Sequence, residues 1–191
     1  MLNIVIFGAP GSGKGTQSEF IIKKYDLLHI SSGEILREEI NKKTALGLTA
    51  NEYISKGHLV PDQLIIDIMS GILDRNPQAK GYIFDGFPRT ISQGECLDLM
   101  LRDRGTTVAA VFSLVVEEEE LTRRMLQRGK EFGRADDNIE TIQERLVVYK
   151  SQTEPLNEYY KKKGKLFKIK GGSSAENVFE NIAEVIDRLS F

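Results

Sequence analysis

Ile4-Val5-Ile6-Phe7-Gly8-Ala9-Pro10-Gly11-Ser12-Gly13-Lys14-Gly15-Thr16 opens with an uninterrupted apolar run that ends at a glycine. Such a run reads as a strand buried on both faces. Phe20, Ile21 and Tyr25 follow in a helical stretch, so the glycine-rich segment joins a strand to a helix. That is the setting of a phosphate-binding loop. Glycines let successive backbone N–H groups converge on one anion, and the helix N-terminus adds partial positive charge. Lys14 then reaches the β- and γ-phosphates. The usual pattern has Ser or Thr directly after the lysine, with its hydroxyl on Mg²⁺. Here Gly15 stands in that place and Thr16 comes one residue later. The spacing therefore predicts that Mg²⁺ is held largely through water, in keeping with its reluctance to dehydrate.

Outward from this loop, short β-type runs recur at Leu27–Ile30, Tyr82–Phe84, Val108–Val116 and Leu166–Ile169. Helical signatures separate them. Leu64, Ile65, Ile68, Met69 and Ile72 recur at helical spacing after Pro61-Asp62. Val178, Phe179, Ile182, Ile186 and Leu189 do so behind Ser173, with Glu176 in a capping-box relation. Glu117–Glu120 open a helix that Arg123, Arg124 and Arg128 close, the order the helix dipole favours. Five strands separated by helices predict an α/β fold, a five-stranded parallel sheet with helices on both faces. Ligands in that architecture sit at the carboxyl ends of the strands.

Composition narrows the function by exclusion. The 191 residues carry 26 Lys+Arg against 28 Asp+Glu, a formal charge of -2. That length predicts one domain, and the balance argues against a dedicated nucleic-acid binder, which carries a basic surplus. The single cysteine, Cys96, excludes an internal disulfide or a multi-cysteine zinc site. His29 and His58 leave little material for histidine-based chemistry. No apolar run approaches the roughly 18 residues needed to span a bilayer, and no basic n-region precedes Ile4, so the expected address is the cytoplasm. Glu117–Glu120 and Lys161–Lys163 read as solvated helix faces or ends, and Cys96 as a packing residue in the helix after Arg89.

Three further elements carry chemistry. Asp85-Gly86-Phe87-Pro88-Arg89 ends the Tyr82–Phe84 run, where Asp85 can hold hydrated Mg²⁺ and Arg89 offers a planar fork for phosphate. Ser31-Ser32-Gly33-Glu34-Ile35-Leu36-Arg37 starts a helix, with Ser31 and Glu34 as a capping box and Arg37 one turn in. Arg124, Arg128, Arg134 and Arg145 form a cationic set around Gly133-Arg134-Ala135-Asp136-Asp137-Asn138. Gly129 and Gly133 bracket what reads as a short flexible segment. Asp137 reads as a helix cap, and Asp136 as a partner for one of these arginines.

Together these motifs resemble the adenylate kinases of the nucleoside monophosphate kinase family, in their short-lid form. The resemblance runs through essentially the whole chain. Its most specific part is the order Gly13-Lys14-Gly15-Thr16 combined with Asp85-Gly86-Phe87-Pro88-Arg89-Thr90. It implies a P-loop nucleoside triphosphate hydrolase-like fold and Mg-dependent transfer of phosphate from ATP to AMP, giving two ADP. It implies that Gly11, Ser12, Gly13, Lys14, Gly15, Thr16, Arg124, Arg128 and Ser173 serve ATP, with the Gly171-Gly172-Ser173 turn against its adenine. On the AMP side it implies Ser32, Arg37, the His58, Leu59 and Val60 backbone, Gly86, Phe87, Pro88, Arg89 and Gln93. Arg134 and Arg145 would contact AMP and the transferring phosphoryl group, and the catalytic set would be Lys14, Arg89, Arg128, Arg134 and Arg145. The implied layout is one kinase domain over residues 1–191, with its core in 1–30, 61–126 and 138–191. Residues 31–60 would form an AMP-binding helical excursion and 127–137 a short lid. A monomer is expected, with neither nucleic acid nor membrane as partner. Ser32 stands where the family usually has Thr, which keeps the hydroxyl and loses a methyl contact. The lid lacks the cysteines that bind zinc in long-lid relatives, so no zinc is expected.

The nearest rival is a UMP/CMP kinase of the same family. Gln93 alone does not decide between them, since an amide can flip to suit a pyrimidine. Thr90 after Arg89 and the Ser31-Ser32-Gly33 wording look more like adenylate kinases. A P-loop nucleotide switch or ATPase is the remote alternative. A guanine-reading switch would need Asn-Lys-x-Asp, whereas Asn41-Lys42-Lys43-Thr44 ends in Thr, and no Asp-x-x-Gly occurs.

Overall fold

A computed structural model describes residues 1–189. Strands β1 (Leu2–Gly8), β2 (Leu28–Ser31), β3 (Gly81–Asp85), β4 (Ala110–Val115) and β5 (Leu166–Lys170) form one parallel sheet in the order β2-β3-β1-β4-β5. The expected five-stranded α/β fold is therefore observed. The first strand sits at the centre, and all seven of its residues are buried. Because side chains alternate across a strand, Val5 and Phe7 enter one core and Ile4 and Ile6 the other.

Helices α4 (Asp62–Arg75), α5 (Ile91–Asp103) and α8 (Leu156–Lys162) cover the first face, bringing Met69, Leu97 and Tyr160 into the core of Val5 and Phe7. Helices α1 (Lys14–Tyr25) and α9 (Ala175–Arg188) cover the second with Ile21, Ile182 and Ile186. Full burial of each such side chain contributes about 1.5–3 kcal/mol, so both layers lock the central strand and the loop it delivers. Two short helices, α2 (Ser32–Asn41) and α3 (Ala45–Ile54), make an excursion between β2 and α4. A third apolar cluster joins α6 (Glu118–Phe132) and α7 (Ile139–Val148) to the loop through Leu121, Met125, Ile142, Leu146 and Ala9. Among the described residues, no helix is long and apolar enough to cross a membrane.

The structure corrects several local expectations. Helix α6 does not close at Arg128 but continues through Gly129 to Phe132, ending at Gly133 in the left-handed region, φ 61°. Gly129 is a contact residue, not a hinge: a Cβ there would lie 3.0 Å from the Asp137 backbone oxygen. The cap of α7 is Asn138, whose side chain accepts from the Thr141 N–H, while Asp137 is committed to arginines. The cap of α9 is Ser174 and not Ser173, because its hydroxyl accepts from the Asn177 N–H. The Ser31 hydroxyl does accept from the Glu34 N–H as expected, at 3.4 Å. Lys161–Lys163 and Glu117–Glu119 are exposed, and Cys96 is half-buried in α5.

Candidate functional site

The loop after β1 is held open by left-handed backbone at Gly11 and Gly13, φ 84° and 95°, which side chains rarely adopt. Gly13 precedes α1 with no side-chain cap, and the first turn carries no acid. The leading N–H groups of α1 are thus left for an external anion. Lys14 folds back into the loop, donating to the Gly8 carbonyl at 2.8 Å and the Ala9 carbonyl at 3.2 Å. Burial lowers its pKa to about 8, against the attraction of Asp85 and with the repulsion of Arg89, Arg145 and Arg128. An anion entering here would restore what burial removes.

Parallel registry places Asp85, at the end of β3, opposite Ile6 of β1, so it opens onto the loop. Beyond it, the Gly86 carbonyl accepts from Arg89 Nε at 2.8 Å and from the Ser32 hydroxyl at 2.7 Å. Thr153, in the π-helical turn Tyr149–Thr153, donates to the Arg89 carbonyl. These bonds fix the guanidinium before any ligand arrives. Arg89 and Arg37 are both lowered to about 10, first by burial, then by Arg145 beside Arg89 and Arg134 near Arg37. Concentrated positive charge that the fold itself only partly neutralises calls for a polyanion.

The neutralising groups are Asp136 and Asp137, both buried. Arg128 grips Asp137 with two bonds, at 2.7 and 2.8 Å, and Arg145 Nη1 donates to the same carboxylate at 2.7 Å. Arg134 lies 3.2 Å from Asp136 and 3.5 Å from Asp137. Burial alone would raise Asp136, but Arg145 and Arg134 outweigh it and hold it below the usual carboxylate range. The expected pairing of Asp136 with the cluster is observed. The larger role of Asp137 leaves no sign in the sequence, where an acid before Asn138 looks like a cap.

Two clefts meet at this wall of cations. The first, about 590 Å³, lies under the α2–α3 excursion and is lined by Ser32, Arg37, His58, Leu59, Val60 and Gln93, with Gly86, Arg89 and Arg145 at its inner end. The second, about 1360 Å³, lies over the loop and is lined by Gly11, Gly13, Lys14, Gly15 and Thr16, with Arg124, Arg128 and Arg134 on its far side. Arg37, Arg89 and Arg145 border both. Several expected contacts fall elsewhere. Ser12 is buried beneath the loop, and its backbone N–H is spent within it, donating to the Ala9 carbonyl at 3.1 Å. Phe87 packs into the core against Phe84, ring centroids 6.5 Å apart, and Pro88 lines a neighbouring pocket. Ser173 is exposed beside Gly171, whose carbonyl accepts from Arg124 Nη2 at 3.3 Å. Gln93, expected at the base of the ligand, has both ends of its amide bound by protein: Oε1 accepts from the Arg89 N–H and Nε2 donates to Asp62.

Among the described residues, no group of three or more His, Cys, Asp or Glu side chains could hold a metal ion by itself. A lone carboxylate at Asp85 suits a cation that keeps most of its water and takes phosphate oxygens as ligands, which is how Mg²⁺ binds.

The family model described as adenylate kinase matches residues 6–165. An adenylate kinase of Azobacteroides pseudotrichonymphae is 62% identical over 189 residues, 99% of either chain. Those of Bacteroides fragilis and Porphyromonas gingivalis are 56% and 50% identical, covering 99% and 98% of this chain and 100% and 97% of theirs. With the phosphate loop, the arginine wall and the matched length in agreement, the chain belongs to the adenylate kinase family.

Proposed function

We propose that the two clefts are the donor and acceptor sites of a single phosphoryl transfer, from ATP over the loop to AMP under the excursion, giving two ADP. The observation that carries this reading is that Arg89 and Arg145 line both clefts, so one set of charges serves two polyanions at their meeting point. Repulsion between the substrates is the obstacle: one unit-charge pair about 4 Å apart costs roughly 4 kcal/mol at an effective dielectric near 20. Lys14, Arg89, Arg128, Arg134 and Arg145 offset several such pairs. No general base is required, because the attacking phosphate oxygen of AMP is already deprotonated near neutral pH. Catalysis is then alignment and charge stabilisation of an in-line transfer.

Asp85 would hold Mg²⁺ through water, where the ion would neutralise charge on the donor phosphates. The backbone N–H groups of Gly11 and of Gly13 to Thr16 would cradle those phosphates. Arg134 and Arg145 would leave Asp136 and Asp137 in part to take up the transferring group. Residues 31–60 act as the acceptor-binding excursion and 127–137 as the lid, on a core formed by 1–30, 61–126 and 138–191. One chain supplies both sites, which supports a monomer.

Incubation with Mg·ATP and each nucleoside monophosphate in turn tests the reading. ADP should form rapidly with AMP and at most slowly with UMP or CMP; equal turnover with UMP would overturn the acceptor assignment. Arg37→Ala should raise KM for AMP by about 10–100-fold, the loss of a charge-assisted bond, and leave KM for ATP within about two-fold. Steady-state kinetics with each substrate varied checks this, and equal effects on both would reject Arg37 as an acceptor ligand.

A further inference from the structure

Gln93 is 2% exposed and borders the cleft under the excursion. Isolated, its amide has two orientations that exchange a donor for an acceptor. Here neither end is free to exchange. Oε1 accepts from the Arg89 N–H at 2.7 Å, and a backbone N–H only donates. Nε2 donates to Asp62 Oδ1 at 2.7 Å, and an ionised carboxylate only accepts. Asp62 is itself held, its Oδ2 accepting from the Thr90 hydroxyl at 2.8 Å, while that hydroxyl accepts from the Gln93 N–H at 3.2 Å. The first residue of α4 and the first turn of α5 are thereby joined in a closed ring of bonds around one amide.

We propose that Asp62 is a specificity-determining positioning residue, which locks the Gln93 amide in the one orientation that accepts a base with an exocyclic amine and rejects its keto counterpart. This rests on the reading of that cleft as the acceptor site. The locked amide keeps one N–H and one oxygen lone pair unspent. That pair complements an amine beside a ring nitrogen acceptor, the edge adenine presents. A 6-keto purine reverses the pattern, with an oxygen acceptor beside a ring N–H. An amide free to turn over would serve both; a locked one meets the keto base with oxygen against oxygen and N–H against N–H. An unmet buried polar pair discriminates far more strongly than shape does. Asp62 touches neither substrate in this arrangement and acts through Gln93.

The test compares AMP with inosine monophosphate, which has the same size and the reversed edge. In Asp62→Asn the amide that replaces the carboxylate can donate as well as accept, so the Asp62 half of the lock is lost while shape and the Arg89 N–H bond are kept. The ratio of kcat/KM for AMP over inosine monophosphate should fall by about 10-fold or more, the scale of one charge-assisted bond. KM for ATP should stay unchanged. If both acceptors lose activity equally, Asp62 is scaffolding only and the proposal fails. Gln93→Ala separates that failure from failure of the acceptor assignment, since unchanged kinetics with AMP would show that the cleft holds no acceptor base. Should Asp62→Asn not fold, the unmutated protein decides. The Gln93 side-chain amide proton donated to Asp62 should exchange slowly by nuclear magnetic resonance without nucleotide, and rapid exchange of that proton would overturn the lock.

Discussion

Replacing Arg134 by alanine is expected to lower turnover by at least about 10³-fold with little loss of stability. Arginines that meet the transferring phosphoryl group in related chemistry contribute about 10³–10⁵ in rate, or roughly 4–7 kcal/mol of barrier. Arg134 follows the left-handed Gly133 that ends α6, and its side chain is 18% exposed on the wall of the cleft over the phosphate loop. It belongs to none of the three apolar clusters. Its removal costs Asp136 and Asp137 one partner each, but Arg145 still bridges both and Arg128 still grips Asp137. The fold therefore keeps its buried carboxylates paired while the reaction loses a charge. Because the interaction is made in the transition state, kcat should fall with little change in either KM. Steady-state kinetics and a melting curve decide together: a variant retaining a tenth of wild-type turnover would remove Arg134 from the reaction, and one that melted far lower would give it a structural role.

How much of this is legible in the sequence follows the range of the forces involved. The loop, its strand and its helix are local, so periodicity and glycine spacing locate them. All five strands lie where the apolar runs place them, to within about two residues at their ends. The sheet order β2-β3-β1-β4-β5 is not local, and nothing between Ile4 and Phe7 announces that β3 and not β2 lies beside β1. The same holds for the carboxylates. Asp137 looks like a cap because capping is the common use of an acid before a helix, whereas its partner Arg128 is supplied by another helix. Asp62 looks like an ordinary first-turn acid, and its bonds to Thr90 and Gln93 span 28 and 31 residues. Gly129 reads as flexible on composition alone; only the approach of the Asp137 backbone gives its missing Cβ a reason. A formal charge of -2 likewise conceals a cationic wall, because a sum over the chain carries no information on where charges gather.

Lys14→Met should show the opposite signs for function and stability, and the pH dependence of the second is the sharper test. Loss of the loop cation is expected to lower kcat by about 10²–10³, the scale for removing one preorganised group that stabilises developing charge. Yet the folded protein holds this amine at a pKa of about 8 against an ordinary 10.5, chiefly because burial disfavours the charge. At neutral pH that costs about 3 kcal/mol, offset by the two carbonyl bonds at about 1 kcal/mol each, leaving about 1 kcal/mol to be recovered by an uncharged side chain of similar length. The melting midpoint of the variant should accordingly rise by about 2–4 °C at pH 7. The sign with pH follows from proton counts. Between about 8 and 10.5 the unfolded chain still binds the Lys14 proton that the folded chain has released, so the native enzyme gains stability relative to the variant as pH rises through that window. The difference in midpoint between variant and native enzyme should therefore be constant below about pH 8, close within about one pH unit above it and reverse as pH rises further, because each unit in that window adds about 1.4 kcal/mol to the native enzyme. A gap that did not change with pH would mean that the amine is not strained by its burial, and a variant that melted lower at neutral pH would mean that the bonds to Gly8 and Ala9 hold the loop together.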